Sequence, residues 1–108
     1  MTTTYADAVK AALATVNVPY FHNFAHEQDA DYIVWSEATT GGLHADGKIK
    51  YRTQRIAVDY FTKSEYSTIA FDISDALENE GFAVDAEIIP IYEEETGYTH
   101  YAITATWA

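Results

Sequence analysis

The sequence has no cysteine and only six basic residues among its 108. Without cysteine the chain can form neither a disulfide nor a thiolate metal site, so a reducing cytosol suits it. No apolar run approaches the roughly 20 residues that a membrane-spanning helix needs, and residues 1–10 lack the basic and apolar regions of a signal peptide. We therefore expect a chain that is neither secreted by a signal peptide nor anchored in a membrane.

Acidic residues dominate the charge. Seventeen of them against six basic residues give a formal net charge of -11. A negative surface potential repels phosphate backbones and anionic head groups, so tight nucleic-acid binding and membrane binding are not expected. Net charge of this size is common in small soluble domains, where it maintains solubility. A second interpretation is a surface past which DNA moves without sticking.

Two amphipathic helices are predicted from capping patterns followed by apolar residues at helical spacing. The first begins at Thr4, within the pattern TYAD, and ends at Asn17 and Pro19. The second begins with the pattern TKSE at Thr62 and ends at Gly81, which can adopt the left-handed conformation of a helix cap.

Strands are predicted from β-branched and aromatic residues and from alternation. A short extended piece near Tyr20 leads into a loop up to Asp31. The segment from Ala38 to Lys48 contains two glycine turn signals and is predicted to be a loop. Pro90 cannot donate a ladder hydrogen bond, so it indicates an edge strand or a bulge. The predicted strands are Tyr32–Trp35, Lys50–Phe61, Ala83–Tyr92 and Tyr98–Trp107, the last two flanking a turn at Glu93–Gly97.

This element order, α-β-β-β-α-β-β, favours an α+β fold in one domain spanning residues 1–108. Because a sheet buries one face under helices, we expect a two-layer sandwich. Its sheet should be mainly antiparallel, with four to five strands and two helices packed on it. An exposed edge strand would offer a route to oligomers.

Chemistry read from side chains alone gives one metal-like grouping, His22 and His26 with Asp29 and Asp31 nearby. It lacks the helical context of a zinc motif, so ordinary loop histidines are the main interpretation, and a small metal-dependent enzyme using His22 and His26 is the alternative. Acid-histidine pairs of His44 with Asp46, and of His100 with residues 93–95, lack a nucleophile.

A larger pattern points to a family. The run YIVW at residues 32–35 precedes a turn-rich loop containing HADG at residues 44–47, and RIAVDYFTK follows at residues 55–63. An amphipathic helix, Gly81-Phe82 and a last hairpin containing YTHYAI come next. This order resembles the small tail-terminator, or tail-completion, proteins of long-tailed bacteriophages and their prophages. The resemblance covers the chain from about Tyr32 to its end.

The resemblance implies a structural protein without enzyme activity or cofactor. It implies assembly into a ring, commonly of six subunits, that caps the tail tube and joins it to the head. The implied partners are other copies of the chain, the major tail-tube protein and head-completion or connector proteins. The implied location is the virion, with assembly in the host cytoplasm. A head-closure protein is the related alternative.

Loops on a rigid sheet usually carry binding, so two segments are the candidate contact regions. The first is the segment of residues 41–50, which covers most of the predicted loop and the start of the next strand, and the second is the turn at residues 93–97. The candidate partner-binding residues are Gly41, Gly42, His44, Asp46, Gly47, Lys50, Glu93, Glu94 and Glu95.

Overall fold

The computed structural model describes residues 4–45 and 48–107, and it describes the side chains of these residues except for 40–52. Within this range the chain forms two helices and six strands. They are α1 (Tyr5–Ala14), β1 (Tyr20–His22), β2 (Tyr32–Ala45), β3 (Lys48–Thr62), α2 (Ile69–Asn79), β4 (Ala83–Val84), β5 (Ile89–Tyr92) and β6 (Thr99–Trp107). The α+β fold is confirmed. Neither helix has the length and hydropathy needed to cross a bilayer.

The strands form one sheet in the order β1-β2-β3-β6-β4, with β5 also paired to β6. All described pairings are antiparallel except that of β1 with β2. The sheet has one strand more than the four to five predicted, because the segment predicted as a single strand from Ala83 to Tyr92 is divided. Its two parts, β4 and β5, lie end to end along the same side of β6.

The first helix follows the sequence prediction closely. Thr4 is its N-cap, and the Thr4 hydroxyl accepts a hydrogen bond from the Asp7 N–H at 3.2 Å. The helix ends at Ala14, and Asn17 adopts a left-handed φ of 55° that turns the chain toward β1. Its inward stripe is fully buried and consists of Ala8, Val9, Ala12 and Leu13.

The predicted start of the second helix at Thr62 is wrong. Thr62 is the last residue of β3 and is fully buried, and its hydroxyl donates to Asp31 Oδ1 while accepting from the Ser64 N–H. Tyr66 then takes a left-handed φ of 58°, which a helix cannot contain. The helix therefore begins only after Thr68.

The end of α2 was predicted correctly. Gly81 has a φ of 103°, in the left-handed region where glycine is favoured. The Gly81 N–H donates to the Glu78 carbonyl at 3.0 Å, and the Phe82 N–H donates to the Leu77 carbonyl at 3.1 Å. This pair of bonds is the Schellman motif, and it places Phe82 in the core.

Both helices pack on one face of the sheet, as a two-layer sandwich requires. The core between the layers takes alternate residues from the three central strands: Ile33 and Trp35 from β2, Ile56, Val58 and Tyr60 from β3, and Ile103 and Ala105 from β6. The helices contribute Val9 and Leu13 from α1, and Ile73 and Leu77 from α2. Fully burying each large aliphatic side chain stabilises the fold by about 1.5–3 kcal/mol.

The other sheet face carries a row of half-buried aromatic rings. Tyr32 stacks on Phe61 with ring centroids 4.6 Å apart, and Phe61 stacks on His100 at 4.5 Å. His100 Nε2 lies 2.8 Å from Asp59 Oδ1. These side chains cover one another, since neither described helix lies on this face.

The loop predicted from Ala38 to Lys48 is largely wrong. β2 continues to Ala45 and β3 begins at Lys48, so Gly41 and Gly42 lie inside a strand, opposite Thr53 and Arg52. Register shifts fall between Glu37 and Thr39 and between Leu43 and His44, which is how bulges bend a strand pair. The Asp46-Gly47 turn signal lies outside the described residues.

The far part of this hairpin stands apart from the rest of the sheet. β6 pairs with β3 only as far as Gln54, and β1 pairs with β2 only as far as Trp35. We call residues 41–45 and 48–53 the arm, because their described strand partners are only each other. Its β3 half, residues 48–53, has six residues, and a strand of that length spans roughly 20 Å. The arm helps to explain principal extents of 50 × 29 × 25 Å.

Candidate assembly surface

The predicted contact residues lie at opposite ends of the sheet. Gly41, Gly42 and His44 are in the β2 half of the arm, and Lys50 is in the β3 half. Asp46 and Gly47 fall outside the described residues. At the other end, residues 93–97 form the hairpin tip between β5 and β6. The tip includes the last predicted contact residues, Glu93, Glu94 and Glu95.

The hairpin tip is held by local hydrogen bonds. The Gly97 N–H donates to the Glu93 carbonyl at 2.9 Å, and Gly97 has a φ of 77°. The Thr96 hydroxyl donates to Glu93 Oε1 at 3.1 Å and accepts from the Tyr98 N–H at 3.2 Å. Glu94 and Glu95 remain exposed on this fixed turn. The tip therefore presents two carboxylates on a defined backbone.

The strand that leads into the tip is an edge strand with exposed apolar side chains. Among described residues, β5 pairs only with β6. Its side chains are exposed by 53% at Ile89, 48% at Ile91 and 64% at Tyr92. Pro90 lies on this edge strand, as predicted. Exposed apolar residues on an unpaired edge are typical of a surface that pairs with another chain.

The free edge of β5 offers few hydrogen-bond donors. The Glu93 N–H donates to the Tyr98 carbonyl, and hydrogen-bonded pairs alternate along an antiparallel ladder. Ile91 and Ile89 therefore direct their backbone groups toward β6, and Pro90 and Tyr92 direct theirs outward. Since Pro90 has no N–H, the outward edge has the carbonyls of both residues but only the Tyr92 donor.

A groove of about 670 Å³ runs between β5 and α2. Phe71 on α2 is 62% exposed and lines it together with Ile89 and Pro90. Its acidic lining residues include Glu78 and Glu87. The groove extends the exposed apolar surface of β5 toward the helix layer.

The histidines of the metal-site alternative make different contacts. His22 Nε2 lies 2.6 Å from Glu37 Oε1, and the His22 ring stacks on Trp35. His26 instead packs edge-on against Phe24. Within residues 4–45 and 48–107, no group of three or more potential metal-ligating side chains comes together. The structure therefore gives no metal site built on His22 and His26.

Asp31 has a structural position. Its Oδ2 accepts from the Tyr60 hydroxyl at 2.6 Å and its Oδ1 accepts from the Thr62 hydroxyl at 2.9 Å. Burial, followed by the hydrogen bond to Asp31, raises the pKa of Tyr60. Tyr98 fixes the same loop, since its hydroxyl oxygen lies 2.7 Å from the Gln28 carbonyl and 3.0 Å from that of Ala30. The segment before β2 is thereby attached to the sheet.

We call the described residues outside the arm the body. Within it, Glu37 on β2 joins three elements. Its carboxylate meets His22 from β1 and accepts a hydrogen bond from the Tyr5 hydroxyl of α1 at 2.8 Å. The hydrogen bond with His22, followed by that from Tyr5, lowers the pKa of Glu37. The same contact raises the pKa of the Tyr5 hydroxyl. Glu37 therefore ties β2 to β1 and α1 four residues before the arm begins.

Sequence reasoning missed the exposed residues of β5 as contact candidates. Their signal was the apolar run from Ile88 to Tyr92, interrupted by Pro90 and bracketed by glutamates. The acid-histidine pair considered between His100 and residues 93–95 is not formed. His100 lies on β6, and its Nε2 contacts Asp59.

Comparison with known proteins gives a weak structural likeness. No family model matches the chain, and no curated protein matches it. One solved structure that aligns is the sheath/tube terminator of an extracellular contractile injection system in its extended state, with a TM-score of 0.33 and 10% sequence identity. The alignment covers 98% of this chain and 57% of that protein, so this chain spans a little over half its length.

Proposed function

We propose that the chain is a structural protein that assembles into a closed ring, caps a phage-type tail tube and joins it to the head. The motif order from Tyr32 to the end of the chain supports this function through its resemblance to tail-terminator proteins. The likeness to the injection-system terminator is too weak to support it, so the proposal stands on the sequence motifs and on the geometry of the surfaces.

One structural observation carries the proposal: two unlike unpaired surfaces lie at opposite ends of one sheet. The arm projects from one end, and the edge strand β5 with the acidic tip lies toward the other. A ring of identical subunits needs a heterologous contact, in which one surface of a subunit meets a different surface of its neighbour. A rigid sheet with unlike ends provides this geometry.

In this proposal the chain makes and breaks no covalent bond and requires no cofactor. Its work is done by contacts with its own copies, with the major tail-tube protein and with the head-completion proteins. It acts in the virion after assembly in the host cytoplasm. Six copies is the ring size that the family resemblance implies.

The acidic surface fits a channel for DNA. Lysine or arginine contacts with phosphates release counterions and hold the duplex, so a passage for DNA should carry few of them. With 17 acidic and six basic residues, the chain should bind duplex DNA weakly at physiological salt. Tight, salt-sensitive binding in a gel-shift titration would contradict this part of the proposal.

The test of ring assembly is native mass spectrometry of the chain over a concentration series, combined with negative-stain imaging. We expect one closed oligomer with a fixed copy number to accumulate as concentration rises. Co-expression with the major tail-tube protein of the same genome should give tubes that carry this oligomer at one end. Open-ended polymers, or tubes without the chain, would contradict the capping function.

A further inference from the structure

The charges of this chain are divided between two surfaces. Lys48, Lys50 and Arg52 lie within five residues of the arm and are half of the six basic residues. Acidic residues bracket β5, with Glu87 before it and the three glutamates of the hairpin tip after it. A molecule of net charge -11 resists self-association unless opposite charges meet at the contact.

Both surfaces also have an unused strand edge. The side of β3 that pairs with β6 in the body has no described partner beyond Gln54. The side of β5 that faces away from β6 likewise has no partner in the described part of the sheet. A two-stranded hairpin alone is marginally stable in water, so an added partner for the arm would stabilise it.

The two surfaces cannot meet within one chain. Tyr92 lies opposite Thr99, which lies opposite Thr62 at the far end of β3. The strand from Thr62 back to Ile49 spans roughly 40 Å. Contact between the arm and β5 must therefore join two copies.

We propose that the arm of one copy docks along the β5 edge of a second copy. This contact brings the segment that contains Lys48, Lys50 and Arg52 to the acidic residues that flank β5, and it covers the exposed residues Ile89, Ile91 and Tyr92. This inference rests on the self-assembly in the proposed function and identifies the contact that produces it. Because the two surfaces are unlike, each copy binds one neighbour through its arm and another neighbour through its β5 edge. Repeating this contact generates a head-to-tail ring.

The chemistry of the two edges makes this contact mainly electrostatic and apolar. Pro90 removes one donor from the outward edge of β5, and the bulge near His44 and Ile49 interrupts the arm. Neither edge therefore supports a long regular ladder. The screening length falls from about 10 Å at 0.1 M salt to about 3 Å at 1 M, so association should weaken as salt rises.

Disulfide trapping tests the contact directly, because the natural chain has no cysteine. Two single variants are prepared, Ile49→Cys in the arm and Tyr92→Cys in β5. Mixed at millimolar concentration under mild oxidation, they should give a cross-linked dimer of one copy of each. Each variant has a single cysteine, so every disulfide joins two chains, and it forms only where the two Cα atoms come within about 7 Å.

The matched control replaces Ile49→Cys with Ala11→Cys, at an exposed position on α1. It should give little cross-linked product with Tyr92→Cys. Equal cross-linking by both pairs would show random collision and would overturn the proposal. Oligomers that native mass spectrometry detects but that give no cross-link between the arm and β5 would also overturn it. A chain that remains monomeric at millimolar concentration would do the same.

Charge exchange provides a second test that does not depend on cysteine geometry. One variant carries Lys48→Glu and Lys50→Glu, and another carries Glu94→Lys and Glu95→Lys. Each alone should weaken association at least about tenfold, since several ion pairs become like-charge contacts. An equimolar mixture should recover association, because each reversed surface then finds its complement on the other variant.

The control for the glutamate variant carries Asp75→Lys and Glu80→Lys, which raises the net charge by the same amount on exposed residues of the helix layer. It should not weaken association. Loss without recovery in the mixture would overturn the arm contact. The two proposals fail separately. Closed rings without the cross-link would contradict only the contact between the arm and β5. A cross-linked polymer with open ends would contradict only the capping function.

Discussion

The body and the arm of this protein follow different rules of stability. In the body, helices cover one face of the sheet, and residues such as Ile56 and Ile103 are almost fully buried. In the arm, the same β3 strand continues with only β2 beside it. One strand therefore begins as part of a lone hairpin and ends as part of a core. The comparison teaches that packing within one chain accounts for the body, whereas the described residues of the arm pair only with each other. In our proposal a second copy supplies the partner of the arm.

The largest expected effect comes from truncating matched leucines in the two regions. Leu77→Ala on α2 removes a fully buried side chain and should lower the free energy of unfolding by about 2–5 kcal/mol. Leu43→Ala lies where β2 and β3 pair only with each other in the described residues, so in our account it should change this free energy by less than about 0.5 kcal/mol in dilute monomer. Urea titrations of both variants provide the measurement. Similar losses would mean that the arm belongs to the folding unit.

A smaller effect is expected from the hydrogen bond between the Tyr60 hydroxyl and Asp31. Tyr60→Phe removes the hydroxyl that donates to Asp31 and should lower the free energy of unfolding by about 1.5–3 kcal/mol, the usual range for a bond to a charged group. Tyr66→Phe is the control, because Tyr66 is 90% exposed. Thermal unfolding should separate the two variants clearly. If Tyr60→Phe unfolds at the same temperature as the natural chain, the hydrogen bond to Asp31 does not stabilise the fold.

The smallest effect concerns Glu37, which lies on β2 four residues before the arm. Its pKa is lowered in the folded state, chiefly by the hydrogen bond with His22, so its contribution is present above the unfolded pKa and is lost as pH falls through the folded pKa. Glu37→Gln should therefore cost less than about 1 kcal/mol at neutral pH, since the group is partly exposed. The difference from the natural chain should shrink below about pH 4.3.

The control for this pH series is Glu78→Gln, an exposed carboxylate on α2. It removes one carboxylate away from the contact between His22 and Glu37, so it shows the effect of losing a single negative charge. A gap between the Glu37→Gln variant and the natural chain that widens as pH falls would contradict the assigned sign.

The sequence predicted the body better than the arm because local signals and tertiary packing agree in the body. Thr4 and Gly81 act as the predicted caps, and alternation in β3 and β6 separates the buried residues from the half-buried ones. In the arm, Gly41 and Gly42 gave a local turn signal that cross-strand pairing overrides. Residue types near Gly41 and Gly42 in the sequence cannot reveal that β3 pairs with them.

The start of α2 failed for a related reason. The pattern at Thr62 has the residues of a capping box, but the Thr62 hydroxyl is used by Asp31, which is 31 positions earlier in the chain. The sequence pattern cannot reveal this distant competitor. The two candidate contact segments lie at opposite ends of the sheet, and their part in binding stays a prediction. The strand conformation of the first segment and the exposed edge of β5 could be seen only in the fold.

Amide hydrogen exchange at low and high chain concentration tests the central claim most directly. We predict fast exchange in the arm and in β5 of the dilute monomer, slow exchange of both segments at concentrations where oligomers form, and unchanged slow exchange in the buried parts of α2 and β3. The opposite result, with arm and β5 exchange the same in the monomer and in the oligomer, would contradict the claim that a neighbouring copy completes the arm.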